Sequence, residues 1–188
     1  MRLAIFGGTF DPIHNAHLTV AREAVACLHL DRLLMVPAAN PPHKGGATWA
    51  GFEDRCRMAE LACAGDTTLE VSRLEAGDQR SYSILTIRKV KASLGPHDEL
   101  FFLIGADAFH EICSWHRWRE VVSAVEFIVV TRPGHEYAVP PGAGVHRLET
   151  VALPVSSSDI RLALQAGKDS EELPAAVLAY IREHRLYC

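Results

Sequence analysis

Two runs of this chain are apolar at almost every position: Leu100-Phe101-Phe102-Leu103-Ile104 and Phe127-Ile128-Val129-Val130-Thr131. A strand with one face in water alternates apolar and polar residues. A strand without that alternation has both faces covered, which is the condition of a parallel sheet between two layers of helix. Shorter runs at 3–6, 33–37 and 69–71 have the same character. Amphipathic stretches of helical length separate them. The spacing predicts helices over 16–29, over 52–64, where Phe52, Cys56, Ala59 and Cys63 share a face, and over 83–94, where Ile84, Ile87 and Val90 do so and Lys91 joins them less comfortably. Two more are expected over 158–164 and 174–183. The alternation predicts an α/β fold with a doubly wound, mostly parallel sheet. A chain of 188 residues has the size of one domain, so residues 1–188 are expected to form a single unit.

A net charge of −4 argues against a nucleic-acid partner, which calls for a basic excess. Any anion site must therefore be a local arrangement. The cysteines, Cys27, Cys56, Cys63, Cys113 and Cys188, are odd in number and form no CxxC pair. Reduced thiols and a cytoplasmic location fit this best. The first apolar run stops at Gly7-Gly8, too short for a secretion signal or a membrane span. Nothing in the sequence sets an oligomeric state.

The most informative stretch is Gly7-Gly8-Thr9-Phe10-Asp11-Pro12-Ile13-His14-Asn15-Ala16-His17, between the first strand and the first helix. In an open α/β sheet, ligands sit beyond the carboxyl ends of the strands. Paired glycines admit a ligand close to the backbone, and a helix N-terminus offers free N–H groups that suit phosphate. His14 and His17 fall on one helical face and can donate to phosphate oxygens, more strongly if protonated. A dinucleotide-binding oxidoreductase needs GxGxxG here, which is absent. A metal site through His-x-x-His lacks further ligands at a recognisable spacing. Spacing alone leaves open a plain glycine turn before a helix with two surface histidines.

The same stretch resembles the signature of the HxGH nucleotidyltransferase superfamily, and the chain is similar to the bacterial nicotinate-nucleotide adenylyltransferases along most of its length. Pro41-Pro42-His43-Lys44 resembles that family's mobile loop, and Ser81-Tyr82-Ser83 with Thr86 its nicotinate-side segment. Ile104-Gly105-Ala106-Asp107-Ala108-Phe109 with Trp115 resembles its central block. Thr131-Arg132-Pro133-Gly134 and Val155-Ser156-Ser157-Ser158-Asp159-Ile160-Arg161 follow in family order. Three positions depart: Ala16 replaces the motif Gly, Ser83 replaces Thr with the hydroxyl kept, and His116 replaces the Tyr that often follows the Trp.

The resemblance implies a Rossmann-like nucleotidyltransferase fold and adenylyl transfer from ATP to nicotinate mononucleotide, giving deamido-NAD and pyrophosphate. It implies catalytic roles for His14, His17, Lys44 and Arg161. It assigns Gly7, Gly8, Thr9, Phe10, Gly105, Asp107, Ser156, Ser157 and Ser158 to ATP, and Asn40, Ser83, Trp115, His116 and Arg132 to the mononucleotide. Mg²⁺ is expected on the ATP phosphates, with no protein metal site. Each residue has a plainer role beside this one. Ser156, Ser157 or Ser158 can be a helix cap, Lys44 a solvated loop lysine, Asn40 the holder of a turn, Asp107 a cap, and Trp115 and Trp118 core aromatics, the last being expected in the core. A phosphopantetheine adenylyltransferase or a cytidylyltransferase is the nearest alternative function. A non-catalytic nucleotide sensor is the alternative of a different class.

Overall fold

The two-sided apolar strands do assemble into one parallel sheet in the computed structural model, which describes residues 1–41, 48–77, 79–150 and 155–187. Chain order is β1 (Arg2–Gly8), α1 (Asn15–Leu28), β2 (Arg32–Pro37), α2 (Phe52–Cys63), β3 (Leu69–Val71), α3 (Ser83–Lys91) and β4 (Glu99–Gly105). There follow α4 (Ala106–His110), a 3₁₀ turn (Ile112–Ser114), α5 (Trp118–Ala124), β5 (Glu126–Thr131), β6 (Gly144–Glu149), α6 (Ser157–Gln165) and α7 (Ala175–Glu183). The sheet has six strands in the order β3-β2-β1-β4-β5-β6, and every neighbouring pair is parallel.

Alternate residues of the central strands enter opposite cores. Leu33, Met35, Phe101, Leu103 and Ile128 pack with α1, α2 and α7 on one face. Leu34, Val36, Phe102, Ile104, Phe127 and Val129 pack with α3, α4 and α5 on the other. Burying one such side chain contributes roughly 1.5–3 kcal/mol, so strands that bury both faces hold the sheet at its centre. Their position also fixes where a ligand goes. From β1 the chain winds outward through β2 and β3, then crosses back and winds the other way from β4. The crevice of such a sheet opens at that reversal, beyond the carboxyl ends of β1 and β4, and those ends are Gly8 and Gly105.

The short α4, the 3₁₀ turn, α5 and β6 were not expected from the sequence. β6 begins at Gly144 and pairs with β5 over its whole length. It is an edge strand in which Leu148 alone is fully buried, so its residues stay polar and hydrogen bonds to β5 define it. The seven-residue α5 buries Val121 and Val122. Trp118 opens it and is half-buried against the core, with the Arg119 guanidinium 4.5 Å from its ring centroid. Lys91 lies on the exposed side of α3 and donates to the Ala124 carbonyl at 3.0 Å.

Candidate active site

The glycine turn is shaped by packing. Phe10 takes a left-handed backbone, φ 49°, which folds its ring back over Gly8. A Cβ at Gly8 would stand 2.8 Å from that ring, whereas one at Gly7 would meet only Phe102 at 3.7 Å. The Phe10 ring then meets Phe6 and His17 edge-on, with centroids 5.5 and 5.1 Å away. Phe10 is thus a buried prop beneath His17. Of its expected ATP contact, only the backbone is free to take part.

His14 caps α1, and its ring lies 3.7 Å from that of His17, centroid to centroid. The His14 backbone N–H donates to His17 Nδ1 at 3.2 Å, which puts the His17 proton on Nε2. Burial pulls His14 down to about 4. Burial and then the neighbouring His14 pull His17 down to about 3. Both are therefore neutral at pH 7, and the charged donors allowed for from the sequence are instead neutral imidazoles. His14 Nδ1 is buried with no partner among the described residues.

A second helix N-terminus is brought beside the first. Ser157 donates to the Pro12 carbonyl at 3.0 Å, and Arg161 Nη1 donates to the Asp11 carbonyl at 2.6 Å. Arg161 Nη2 donates to Ser158 Oγ at 3.0 Å, and the Trp49 ring lies 5.6 Å from the guanidinium. Ser156 caps α6 by accepting from the Asp159 N–H. The three serines and Arg161, expected on ATP phosphates, all carry protein hydrogen bonds, and Arg161 clasps the signature loop.

Beneath that loop sits a buried polar cluster that the sequence reading missed. The Asp11 carboxylate accepts from the backbone N–H groups of Trp49 and Ala50 at 2.7 and 3.1 Å, and from the Tyr187 hydroxyl at 2.7 Å. Burial, with Asp11 beside it, pushes the Tyr187 hydroxyl far above the usual tyrosine range. Arg55 is wholly buried and donates to the Thr9 carbonyl at 2.7 Å and the Ala50 carbonyl at 3.2 Å. Burial lowers the affinity of its guanidinium for the proton, against the pull of Asp11. Arg55 had one legible signal: it interrupts the apolar face of α2.

A cleft runs from the glycine turn across the sheet reversal. Its inner and outer parts, about 200 and 550 Å³, share Gly7, Gly8, Ala38, Ser81, Ser83, Ala108 and Trp115 as lining. Thr9, Tyr82 and His116 line the outer part alone. Ser83 opens α3, whose start carries no side-chain cap, the Leu85 N–H turning back to the Tyr82 carbonyl at 2.9 Å. Trp115 stands edge-on to Phe102 at 6.1 Å, leaving its own ring as a wall of the cleft. His116 is stacked on Tyr82 at 4.3 Å. Asn40 donates to the carbonyls of Gly77 and Gln79, and its N–H donates to Ser81 Oγ, so its side chain holds the turn. Gly105 and Asp107 line a neighbouring hollow together with Arg132, which separates Arg132 from Ser83 and Trp115, where it was expected. Lys44 lies outside the described residues.

The sequence model of a family described as cytidylyltransferase-like matches residues 5–163. A protein named probable nicotinate-nucleotide adenylyltransferase from Solibacter usitatus (strain Ellin6076) is 60% identical over 187 residues, covering 100% of each chain. One of the same name from Geobacter sp. (strain M21) is 41% identical, covering 100% of this chain and 98% of its own. Among solved structures, Plasmodium falciparum nicotinic acid mononucleotide adenylyltransferase complexed with NaAD superposes with a TM-score of 0.80 at 20% identity, covering 99% of this chain and 97% of that one. At that identity the likeness shows the fold.

Proposed function

The chain belongs to the cytidylyltransferase-like family and, within it, to the nicotinate-nucleotide adenylyltransferases, and from that premise we propose that it joins the adenylyl group of ATP to nicotinate mononucleotide, a step of NAD biosynthesis. The observation that carries this reading is the cleft at the sheet reversal. It sets an open glycine backbone, Gly7 and Gly8, opposite a flat ring, Trp115, and the start of α3 at Ser83. The glycines allow close approach of a nucleotide, Trp115 gives the pyridine a stacking partner, and the N–H groups of α3 suit its carboxylate.

In this reading a phosphate oxygen of the mononucleotide attacks the α-phosphorus of ATP. A new P–O bond forms, the bond to the β-phosphate oxygen breaks, and pyrophosphate leaves with that electron pair. The attacking oxygen is already ionised at neutral pH, so no strong base is needed. The work of the protein is to hold two polyanions in line and to stabilise charge at the α-phosphorus. His17 Nε2–H, the starts of α1 and α6, and Lys44 are the proposed donors, and Arg161 acts by holding the loop through Asp11. Gly105 and Asp107, at the end of β4, are proposed for the adenosine side. Mg²⁺ would neutralise the β- and γ-phosphates. Its ligands in this reading are phosphate oxygens and water.

Residues 1–188 are proposed to act as one unit in the cytoplasm, where the exposed, unpaired Cys27 and Cys113 stay reduced. No helix among the described residues is long and apolar enough to cross a membrane. The test is incubation with ATP, Mg²⁺ and a panel of acceptors, with pyrophosphate as readout. The highest kcat/KM is expected with nicotinate mononucleotide, and a higher value with phosphopantetheine would overturn the substrate.

A further inference from the structure

One carboxylate in the cleft has no part in the chemistry above. Glu75 follows β3 and lines the inner cleft with Ser81, Ser83, Thr86 and Trp115. Its Oε1 accepts from the buried Thr86 hydroxyl at 2.5 Å. Its Oε2 is buried and has no hydrogen-bond partner among the described residues. Three cations around it have partners elsewhere: Arg73 with Glu53 and Glu60, Lys89 with the Leu74 carbonyl, and the buried Arg55, which feels the charge of Glu75, with the Thr9 and Ala50 carbonyls. Much of the remaining inner lining is apolar, including Ile5, Phe102 and Ile104. A charged acceptor in such surroundings lacks the donors that water would give it. Thr86 adds to this. Its one proton is committed to Glu75, so its oxygen can only accept. Glu75 and Thr86 together offer the cleft lone pairs and no protons.

We propose that Glu75, held in place by Thr86, is a binding residue that accepts a hydrogen bond from the bound mononucleotide. The proposal rests on the reading of the cleft as the mononucleotide site. Two donors have the right chemistry. The ribose hydroxyls occur in both nicotinate and nicotinamide mononucleotides, and the carboxamide N–H occurs only in the second. A pyridine carboxylate is ionised at neutral pH and has no proton to give. Its place is therefore at the start of α3, which no side chain caps, and not at Glu75.

Glu75→Gln isolates this property. The amide keeps an oxygen for the Thr86 hydroxyl and places an NH₂ where Oε2 stood, so the shape is conserved and the free group changes from acceptor to donor. Steady-state kinetics at saturating ATP, and calorimetric titration with each mononucleotide alone, are compared with wild type. A KM about tenfold higher for both acceptors, with kcat within about twofold, identifies the ribose as donor. The same rise for the nicotinamide form alone identifies the carboxamide. An unchanged KM and affinity for both acceptors overturns the proposal, as does a fall in kcat alone, and either leaves Glu75 a brace for α3. Should Glu75→Gln not fold, Thr86→Val tests the same point by releasing Oε1 and the aim of the carboxylate: the KM rise is expected again, and its absence overturns the proposal. A wild-type protein that adenylates phosphopantetheine but neither pyridine mononucleotide removes the site reading itself.

Discussion

His17 shows how a side chain can be structural and chemical at once. Its Nδ1 accepts the His14 N–H, and its ring rests on Phe10. The sequence suggests a histidine facing solvent at a helix start, whose removal leaves stability untouched. The structure gives it a hydrogen bond and ring contacts to lose. His17→Ala is therefore expected to cut kcat by ~10²–10³, the usual loss for one transition-state donor, and to cost about 1 kcal/mol of stability as well. A folded variant with wild-type kcat would remove His17 from the mechanism. The depressed proton affinities of the pair also set a pH dependence. In the unfolded chain both titrate near 6.5, but in the fold they do so at about 4 and about 3. Between those limits the unfolded chain binds more protons, so stability falls as pH drops below 6.5 and the pair contributes no slope above it. Thermal melts from pH 8 to pH 4 should show that decline, and a variant lacking both histidines should lose part of it. The glycines divide the same way. Gly8→Ala drives a Cβ into the Phe10 ring and should lower the melting temperature, at a cost of roughly 1–3 kcal/mol. Gly7→Ala meets only ordinary contact, so it should keep wild-type stability and raise KM by filling the cleft.

At the scale of elements, the signature loop is held from three sides: by α2 through Arg55, by α6 through Ser157 and Arg161, and by Tyr187 through Asp11. Tyr187→Phe keeps the ring and removes the hydroxyl. It is expected to cost roughly 1–3 kcal/mol in urea unfolding, the price of a buried carboxylate losing a partner. Unchanged stability would show that Trp49 and Ala50 suffice for Asp11. These braces explain what was legible in the sequence. β1, β2, β4 and β5 were readable because both of their faces are apolar. The glycine turn and its histidines were readable because they lie in one continuous stretch. β6 was hidden because an edge strand needs few apolar residues, and α5 because seven residues give too short a period. Tyr187 and Asp11 act through each other across 176 residues, and no local pattern marks such a pair. Arg161 was found in the sequence but not its partner. A basic residue near a presumed phosphate suggests a phosphate ligand, whereas the structure spends it on a carbonyl.

For the whole molecule, the two hollows on either side of Gly105 favour simultaneous binding of both substrates. Adenylyl transfer should then be direct. A covalent enzyme intermediate needs an activated nucleophile, and a histidine with Nδ1 occupied and Nε2 protonated, as in His17, is not one. Labelled pyrophosphate should therefore not exchange into ATP when the mononucleotide is absent, and rapid exchange in acceptor-free enzyme would rule the direct route out. The bond from Tyr187 to Asp11 also has a consequence in time. During synthesis Asp11 is made 176 residues before its partner, an interval of roughly 9–35 s at about 5–20 residues per second. Through that interval the nascent chain carries the glycine turn and both histidines, but the Asp11 carboxylate still lacks the hydroxyl that completes its burial. The loop is thus made well before the residue that completes its burial.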